Sequence, residues 1–255
     1  MKHAFLDKYA GLESPVHQLD ARAKILSFFA LIVICVSTPP EAWGAFAGYF
    51  AFLAVVAVAS SVPAGYILRR SLVIVPFVAM VAPFLLFLRH DGIAGGWSLG
   101  IGPVSVSRSG LMVFWNVLVK ACVAILAVIL LSSTTPFPSL MRGLEQLRVP
   151  RVFVMLASFA YRYIFILVDE AERMERARDS RGYRGRWLWQ AKVIGQMIGT
   201  LFLRSYERAE RVYAAMVSRG FTGEAVAGRS TRMTATDWLF LAGAAGLFLL
   251  LRAAT

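Results

Sequence analysis

The stretch Gly110–Leu131, GLMVFWNVLVKACVAILAVILL, decides the fold class of this chain. It holds 22 residues and a single charged side chain, Lys120. A helix needs roughly 20 predominantly apolar residues to cross the hydrocarbon core of a bilayer. The stretch therefore predicts a transmembrane helix, and the chain is expected to be a membrane protein rather than a soluble domain.

Four further apolar segments lie on either side of this stretch. They are Lys24–Ser37, Trp43–Val62, Leu72–Leu88 and Trp238–Leu251. Together with 58% hydrophobic and 16% charged residues, they predict an all-α polytopic membrane protein with about five transmembrane helices. The first and last segments are short and need flanking residues to reach the usual length. No segment has the layout of a cleavable signal peptide.

The positive charge of the chain is concentrated in one region. The net charge is +12, and 17 of the 27 Lys and Arg residues lie between positions 132 and 236. Because loops rich in Lys and Arg stay in the cytoplasm, this bias predicts a cytoplasmic N-terminus and a cytoplasmic 132–236 region. The surplus then needs no nucleic acid to explain it, and no basic stripe with interleaved stacking aromatics occurs. The predicted division is 1–131 for transmembrane helices 1–4, 132–236 for cytoplasmic or interfacial helices, and 237–255 for helix 5.

Lys120 is the polar residue that stands out within the predicted spans. It lies about 15 Å along the helix from either end of its segment, which is too far for easy snorkelling. We therefore expect it to face the interior of the bundle. Two interpretations remain open: a structural partner, either a backbone carbonyl or Asn116, or an intramembrane polar role in transport.

Other polar and sulfur-containing residues predict no catalytic or metal site. Cys35 and Cys122 lie in apolar runs, where they are expected to be small core residues, and the three histidines are scattered. Asp20, Arg22 and Lys24 precede the first segment and are interpreted as a charge cluster at the membrane interface. No metal site is predicted in this chain.

Region 132–236 contains two long runs with helical character. The first is Arg151–Arg181, without an internal Gly or Pro, and the second is Leu188–Arg219. Each begins apolar and ends charged, with acid-before-base pairs four residues apart, Glu172–Arg176 and Glu207–Arg211, that stabilise helices. At 1.5 Å per residue, each helix would be about 48 Å long. Their apolar halves are expected to pack against a partner.

Two smaller features accompany these runs. Pro138–Leu147 has apolar residues at helical spacing and predicts a short amphipathic helix. Gly195 and Gly199 interrupt the second run, where they either soften the helix or permit close packing at a helix crossing in a small-xxx-small arrangement. We favour packing at a crossing.

The two runs end in a duplicated motif. ARDSRGYRG at Ala177–Gly185 returns as AMVSRGFTG at Ala215–Gly223, 38 residues later, with six of nine positions alike. Gly commonly follows a helix C-terminus, and the helix dipole favours any cation there. Arginine in both copies indicates more, because its planar fork binds carboxylate or carbonyl acceptors on another protein. The candidate residues are Ser180, Arg181 and Gly182 with Tyr183, and Ser218, Arg219 and Gly220 with Phe221, the two aromatics being apolar anchors.

Four stretches carry a resemblance to a known family. They are SPVHQLDARAKIL (Ser14–Leu26), TTPFPSLMRGLEQLRVPRVF (Thr134–Phe153), YRYIFILVDEAERMERARDSRG (Tyr161–Gly182) and YERAERVYAAMVSRGFTG (Tyr206–Gly223). Over nearly its whole length the chain resembles the transmembrane T component of energy-coupling factor (ECF) transporters, of the cobalt-type CbiQ family.

The resemblance implies a mechanical role for the duplicated motif. In that family, Arg-centred triplets at the ends of two crossed cytoplasmic coupling helices dock into grooves on two ATP-binding-cassette (ABC) ATPases. The corresponding triplets here are Ser180–Gly182 and Ser218–Gly220, with Ser where many relatives have Ala before the Arg. The apolar halves of the helices would contact a membrane-embedded substrate-binding S subunit. The family-like LDARAK (Leu19–Lys24) also raises the alternative that these charges contact the coupling helices. The partner ATPases would bind ATP, so this chain would need no cofactor and would be a non-catalytic subunit in a bacterial or archaeal plasma membrane.

Other functions make different demands on the sequence. No GxxxxGK[ST] motif occurs, so the chain is not itself expected to be the ATPase. An integral membrane enzyme would need a cluster of Asp, Glu or His at the membrane edge, and a stand-alone carrier would need several intramembrane polar residues. Cobalt rests on the resemblance alone, and nickel or a vitamin is the alternative substrate.

Overall fold

The computed structural model describes residues 12, 14–73, 76–77, 80, 99–101, 104–106, 108–182, 187–223 and 233–253. Within these residues the protein is helical apart from one short antiparallel hairpin, in which β1 (Leu99–Ile101) pairs with β2 (Val104–Val106). The all-α fold class is confirmed. Most of the predicted third segment, Leu72–Leu88, lies outside the described residues.

The chain divides into two compact units. Unit 1 comprises Met1–Gly143 and Thr231–Thr255, and unit 2 comprises Leu144–Ser230. The helices of unit 1 are α1 (Pro15–Gln18), α2 (Ala21–Ser37), α3 (Trp43–Ala59), α4 (Ala64–Ser71), α5 (Arg108–Thr134) and α9 (Ala235–Ala253). Unit 2 contains α7 (Arg151–Ser180) and α8 (Trp187–Ser218), and α6 (Phe137–Gln146) runs across the boundary in sequence.

The core of unit 1 is built from aromatic and branched side chains of α2, α3, α5 and α9. Phe28, Leu31, Tyr49, Val123 and Phe248 are all at most 1% exposed. The ring of Phe248 stands edge-on to that of Tyr49, with centroids 6.3 Å apart. Such edge-to-face pairs add roughly 0.5–1.5 kcal/mol beyond the burial of their surface. The α2, α3, α5 and α9 helices are therefore fixed to one another.

Gly143 lets α6 approach α2 closely. A Cβ atom at this position would lie 3.1 Å from the Cβ of Ala21 and 3.2 Å from the Cδ1 of Ile25. Both distances are shorter than ordinary van der Waals contact, so a larger side chain would push α6 away. The short amphipathic helix predicted over Pro138–Leu147 is thus present, and it begins and ends one residue earlier than predicted. Its Gly143 allows it to pack closely on α2.

Three described helices are long and apolar enough to cross a membrane: Met112–Thr134, Arg151–Ser180 and Ala235–Ala253. Trp43–Ala59 is apolar but shorter. The second of the three is α7, which lies in the region predicted to be cytoplasmic or interfacial. Its length and composition would equally allow a crossing, so the division into 1–131, 132–236 and 237–255 stays a prediction.

Candidate functional site: two arginine-tipped helix ends

The first candidate motif lies at the C-terminus of α7. The helix runs without Gly or Pro from Arg151 and ends at Ser180. The backbone N–H of Arg181 donates to the carbonyl of Arg178 at 3.2 Å, and that of Gly182 to the carbonyl of Asp179 at 3.0 Å. Gly182 has φ +69°, a left-handed conformation that glycine adopts at little cost. Sequence and backbone therefore agree that this glycine stops the helix.

The second motif, at the C-terminus of α8, has the same construction. The N–H groups of Arg219 and Gly220 donate to the carbonyls of Met216 and Val217, at 3.0 and 2.9 Å. Gly220 has φ +84°, and the N–H of Phe221 reaches back to Met216 at 3.0 Å. The bonds from Gly220 to Val217 and from Phe221 to Met216 together form a Schellman cap. Both glycines were predicted as helix stops, and both act as such.

The serines before the arginines also match. The hydroxyl of Ser180 donates to the carbonyl of Ala177 and that of Ser218 to the carbonyl of Ala215, each at 3.0 Å. Each serine proton is thus directed into its own helix rather than towards a partner. The duplication in sequence is a duplication of local structure.

The two guanidinium groups are available for binding. Arg181 and Arg219 are both exposed, and within the described part of the chain neither has an ion pair or side-chain hydrogen bond. The neighbouring Arg178, in contrast, is held by Glu175 and Asp179. An unpaired planar fork at a helix end can take a carboxylate or a pair of carbonyl oxygens from another molecule.

Of the two predicted aromatic anchors, the structure describes one, Phe221. Phe221 is half-buried and lines a groove of about 450 Å³ between α7 and α8. Phe159, Tyr163, Val212 and Met216 also line this groove. Tyr183, the predicted anchor of the first motif, lies outside the described residues.

The helices α7 and α8 are joined midway by charge. A carboxylate oxygen of Glu170 accepts from Arg173 at 2.6 Å, and the other oxygen accepts from Arg204 on α8. This bridge places the contact between the helices near Glu170 and Arg204. The predicted pair Glu172–Arg176 is present at 3.3 Å, and Glu207–Arg211 at 3.9 Å.

The predicted role of Gly195 and Gly199 is not supported within this chain. A Cβ atom built on either glycine would meet no atom within 4 Å. The contact of α7 with α8 is formed instead by longer side chains further along, at Glu170 and Arg204. Among the described residues the two glycines thus do not lie at the contact of α7 with α8, and their packing at a helix crossing stays a prediction.

Lys120 has backbone partners. Its ammonium group donates to the carbonyls of Val36 and Thr38, each at 2.8 Å, at the C-terminus of α2. Arg252 of α9 donates to the carbonyl between them, that of Ser37, at 2.6 Å. Of the two partners that the sequence left open, the structure has the carbonyls, whereas the amide oxygen of Asn116 is buried and has no hydrogen bond among the residues that the structure describes.

Lys24 has a buried position that the sequence did not predict. It is only 1% exposed, and its ammonium group donates to the carbonyls of His17 and Thr134 and to the hydroxyl of Thr135, at 3.1–3.3 Å. Lys24 therefore lies inside unit 1, bonded mainly to backbone carbonyls, and its place at the membrane interface stays a prediction. No local pattern announces this burial, because two of the acceptors are more than 100 residues away in sequence.

Asp237 forms the other half of this buried polar cluster. Its carboxylate accepts from the backbone N–H of Asp20 at 2.8 Å, and from the backbone N–H and hydroxyl of Thr234 at 2.8 and 2.7 Å. It caps the start of α9 and ties it to the start of α2. Paired in this way, a buried carboxylate holds helices together rather than performing acid–base chemistry.

Comparison with known proteins agrees with this architecture. The CbiQ family profile, described as "Cobalt transport protein", matches residues 13–229. The chain belongs to the CbiQ family. It is therefore a membrane transport component, and the predicted resemblance is confirmed.

Individual relatives carry two kinds of name. The cobalt transport protein CbiQ of Rhodobacter capsulatus is 30% identical over 91% of this chain and 88% of its own length. The energy-coupling factor transporter transmembrane protein EcfT of Heliobacterium modesticaldum is 28% identical over 98% of this chain and 97% of its own. A putative fused cobalt transport protein CbiMQ of Methanocorpusculum labreanum is 27% identical over 87% of this chain, which spans only 38% of that fusion.

Proposed function

We propose that this chain is the energy-coupling T subunit of an ECF-type ABC importer for cobalt ions. Its two Ser-Arg-Gly helix ends would dock on two ATPase subunits, and its apolar helix halves on a membrane-embedded S subunit. The observation that carries the proposal is the pair of matching caps, each presenting an exposed and unpaired arginine. Two equivalent tips suit two equivalent grooves.

The chemistry of each tip defines what the ATPase groove must offer. Arg181 and Arg219 need carboxylate or carbonyl acceptors placed for a two-pronged contact. Gly182 and Gly220, in left-handed conformations, let the chain turn away directly after the arginine. Phe221 would add apolar contact beside the charge at the second tip.

The long helices would then act as levers. Closure of the ATPase dimer on ATP moves its grooves, and the two tips follow. Because Glu170 bridges Arg173 and Arg204, α7 and α8 would move as a linked pair. Their apolar halves expose large side chains, among them Phe153, Ile198 and Phe202, which need cover from lipid or another subunit. Movement of this surface would shift the S subunit.

Cobalt is proposed as the substrate because the matching family and the Rhodobacter relative are named for it. Nickel or a vitamin remains the alternative, since relatives named EcfT carry no substrate in their names. Coordination of the ion is assigned to the S subunit. Uptake of radioactive cobalt and nickel by cells expressing the complete complex separates the two metals, because cobalt-specific accumulation is expected and nickel-specific accumulation would overturn the assignment.

Charge reversal at both tips tests the coupling role. Arg181→Glu with Arg219→Glu should abolish co-purification of the ATPase subunits and ATP-driven uptake, because each acceptor groove would face a carboxylate. The matched control is Arg176→Glu with Arg211→Glu, which makes the same charge change on exposed parts of the same helices. Retained association and uptake in the tip variant would show the proposal to be wrong.

The conservative pair separates the shape of the arginine from its charge. Arg181→Lys with Arg219→Lys keeps both cations at the helix ends but removes the fork. We expect weakened ATPase association and uptake, with the chain itself folded normally. The proposal also places both tips and the N-terminus in the cytoplasm, which labelling of introduced cysteines with an impermeant reagent would check.

A further inference from the structure

Unit 1 has a polar layer at each end of α2 and α9, and α5 contributes Thr134, its last residue, to one layer and Lys120, near its middle, to the other. At one end Lys24 donates to the carbonyl of Thr134 on α5, and Asp237 of α9 accepts from the backbone of Asp20. At the other end Lys120 of α5 and Arg252 of α9 donate to the last carbonyls of α2. These are termed here the Lys24 end and the Lys120 end.

The distance between the Lys24 end and the Lys120 end is short along each of the three helices. Lys120 and Thr134 are 14 positions apart on α5, and Lys24 and Thr38 are 14 positions apart along α2 and its cap. Asp237 and Arg252 are 15 positions apart on α9. With a rise of 1.5 Å per residue, all three measures give about 21–23 Å. An ordinary bilayer has a hydrocarbon core about 30 Å thick.

The surface between the two ends is apolar and exposed. Phe29 and Val36 of α2 are 65% and 59% exposed, and Leu239 and Leu250 of α9 are 77% and 72% exposed. The exposed apolar surface of these two helices, termed here the α2–α9 face, therefore suits lipid tails. Tilting cannot extend it, because a tilted helix spans less of the membrane normal than an upright one.

The other side of unit 1 is longer. Trp43, at the start of α3, packs on Trp115 of α5, with ring centroids 6.1 Å apart. Trp115 lies five positions beyond Lys120, so this side spans about 28 Å from Thr134, close to the ordinary thickness. Tryptophans are typical of membrane–water interfaces. One unit thus presents two different thicknesses.

We propose that the α2–α9 face holds a locally thinned bilayer, with about 20 Å of hydrocarbon beside it. The lipid that fits this face has short or disordered chains, and its headgroups lie level with Arg252 and Lys120. The charged groups and the α2–α3 turn at the Lys120 end stay hydrated only if the membrane surface comes down to them. The shortness of the first and last apolar segments is then a property of this face.

A depth measurement tests the proposal directly. The chain is reconstituted in phosphatidylcholine with one tryptophan, either Trp43 or Leu250→Trp, the other tryptophans being replaced by Phe. Quenching by lipids brominated at different depths should place both probes equally close to the headgroups. A probe at position 250 about 8 Å deeper than Trp43, the difference in helix rise, would overturn the proposal.

A stability measurement on the otherwise native chain provides an independent test. The temperature of unfolding should fall as the phosphatidylcholine chains lengthen from fourteen to eighteen to twenty-two carbons. Lys120→Leu with Arg252→Leu should make the unfolding temperature depend less on chain length, because the charges that keep the membrane surface at the Lys120 end are removed. Arg176→Leu with Arg211→Leu, the same charge change on unit 2, should leave it unchanged. An unfolding temperature that does not fall with chain length, or a dependence that both variants alter equally, would contradict the thinning.

Discussion

At the scale of single residues, Lys24 has the most demanding environment in unit 1. A buried ammonium group is tolerated only when its donors are satisfied, and Lys24 has three acceptors. These acceptors lie on α1, at the end of α5 and in the turn that leads to α6. One side chain thus fixes the point where the chain leaves unit 1.

Replacement of Lys24 by Met should destabilise the protein by about 3 kcal/mol, since buried carbonyls lose a charged donor. Unfolding of the purified chain by heat or SDS in detergent micelles would measure the loss. Lys192→Met, which changes an exposed lysine of α8, is the control and should have little effect. Equal stability of the two variants would contradict the assigned role of Lys24.

Among single residues, the arginine motifs were predictable from the sequence and the buried polar residues were not. Arg181 and Arg219 could be selected because each repeats with its neighbours, and Gly182 and Gly220 because helix stops have a known composition. Lys24 and Asp237 could not, because their partners are brought together only by the packing of α2, α5 and α9.

At the scale of elements, the long helices were the most predictable parts. The predicted run Arg151–Arg181 became α7, Arg151–Ser180, and Leu188–Arg219 became α8, Trp187–Ser218. The absence of internal proline and the glycine stops determine such bounds locally. The contact between the helices did not follow from spacing, because the choice of face depends on which side chains meet in three dimensions, here Glu170 and Arg204.

The glycines of α8 provide a prediction at this scale. Gly195→Ala and Gly199→Ala should each stabilise the isolated chain by up to about 1 kcal/mol, because the new methyl groups enter open space and alanine favours the helix. Gly220→Ala should instead cost about 1 kcal/mol, since φ there is +84°. Thermal unfolding of the three variants checks both signs. A loss of stability at position 195 or 199 would indicate close packing after all.

At the scale of the whole molecule, the proposed docking through two tips on one chain would be bivalent. Linked contacts strengthen each other through effective concentration, commonly by a factor of about 10²–10⁴. Arg181→Ala or Arg219→Ala alone should therefore weaken ATPase association by roughly 10²-fold or more while leaving one contact intact, and uptake should fall steeply in either single variant. Titration of the ATPases against the reconstituted chain would measure this. A single variant with unchanged affinity would argue against two cooperating contacts.

At this scale, the membrane spans were only partly predictable from the sequence. Apolar length predicted spans at Gly110–Leu131 and Trp238–Leu251, and both lie in helices that can cross a membrane. The same criterion admits α7, whose first half is as apolar as a span and whose second half is charged. Hydropathy shows whether the surface of a helix can lie against lipid. Whether that surface contacts lipid or another protein in the assembled transporter depends on subunits that this sequence does not encode.

The matching caps make the two tips exchangeable as pieces of backbone. Residues 177–182 and 215–220 end their helices with the same two backbone bonds, the same serine bond and the same left-handed glycine. A graft of one segment onto the other helix is therefore expected to preserve the turn that ends the helix. The chain can therefore be re-engineered one tip at a time, and in the proposed transporter the separate contribution of each ATPase contact could then be timed.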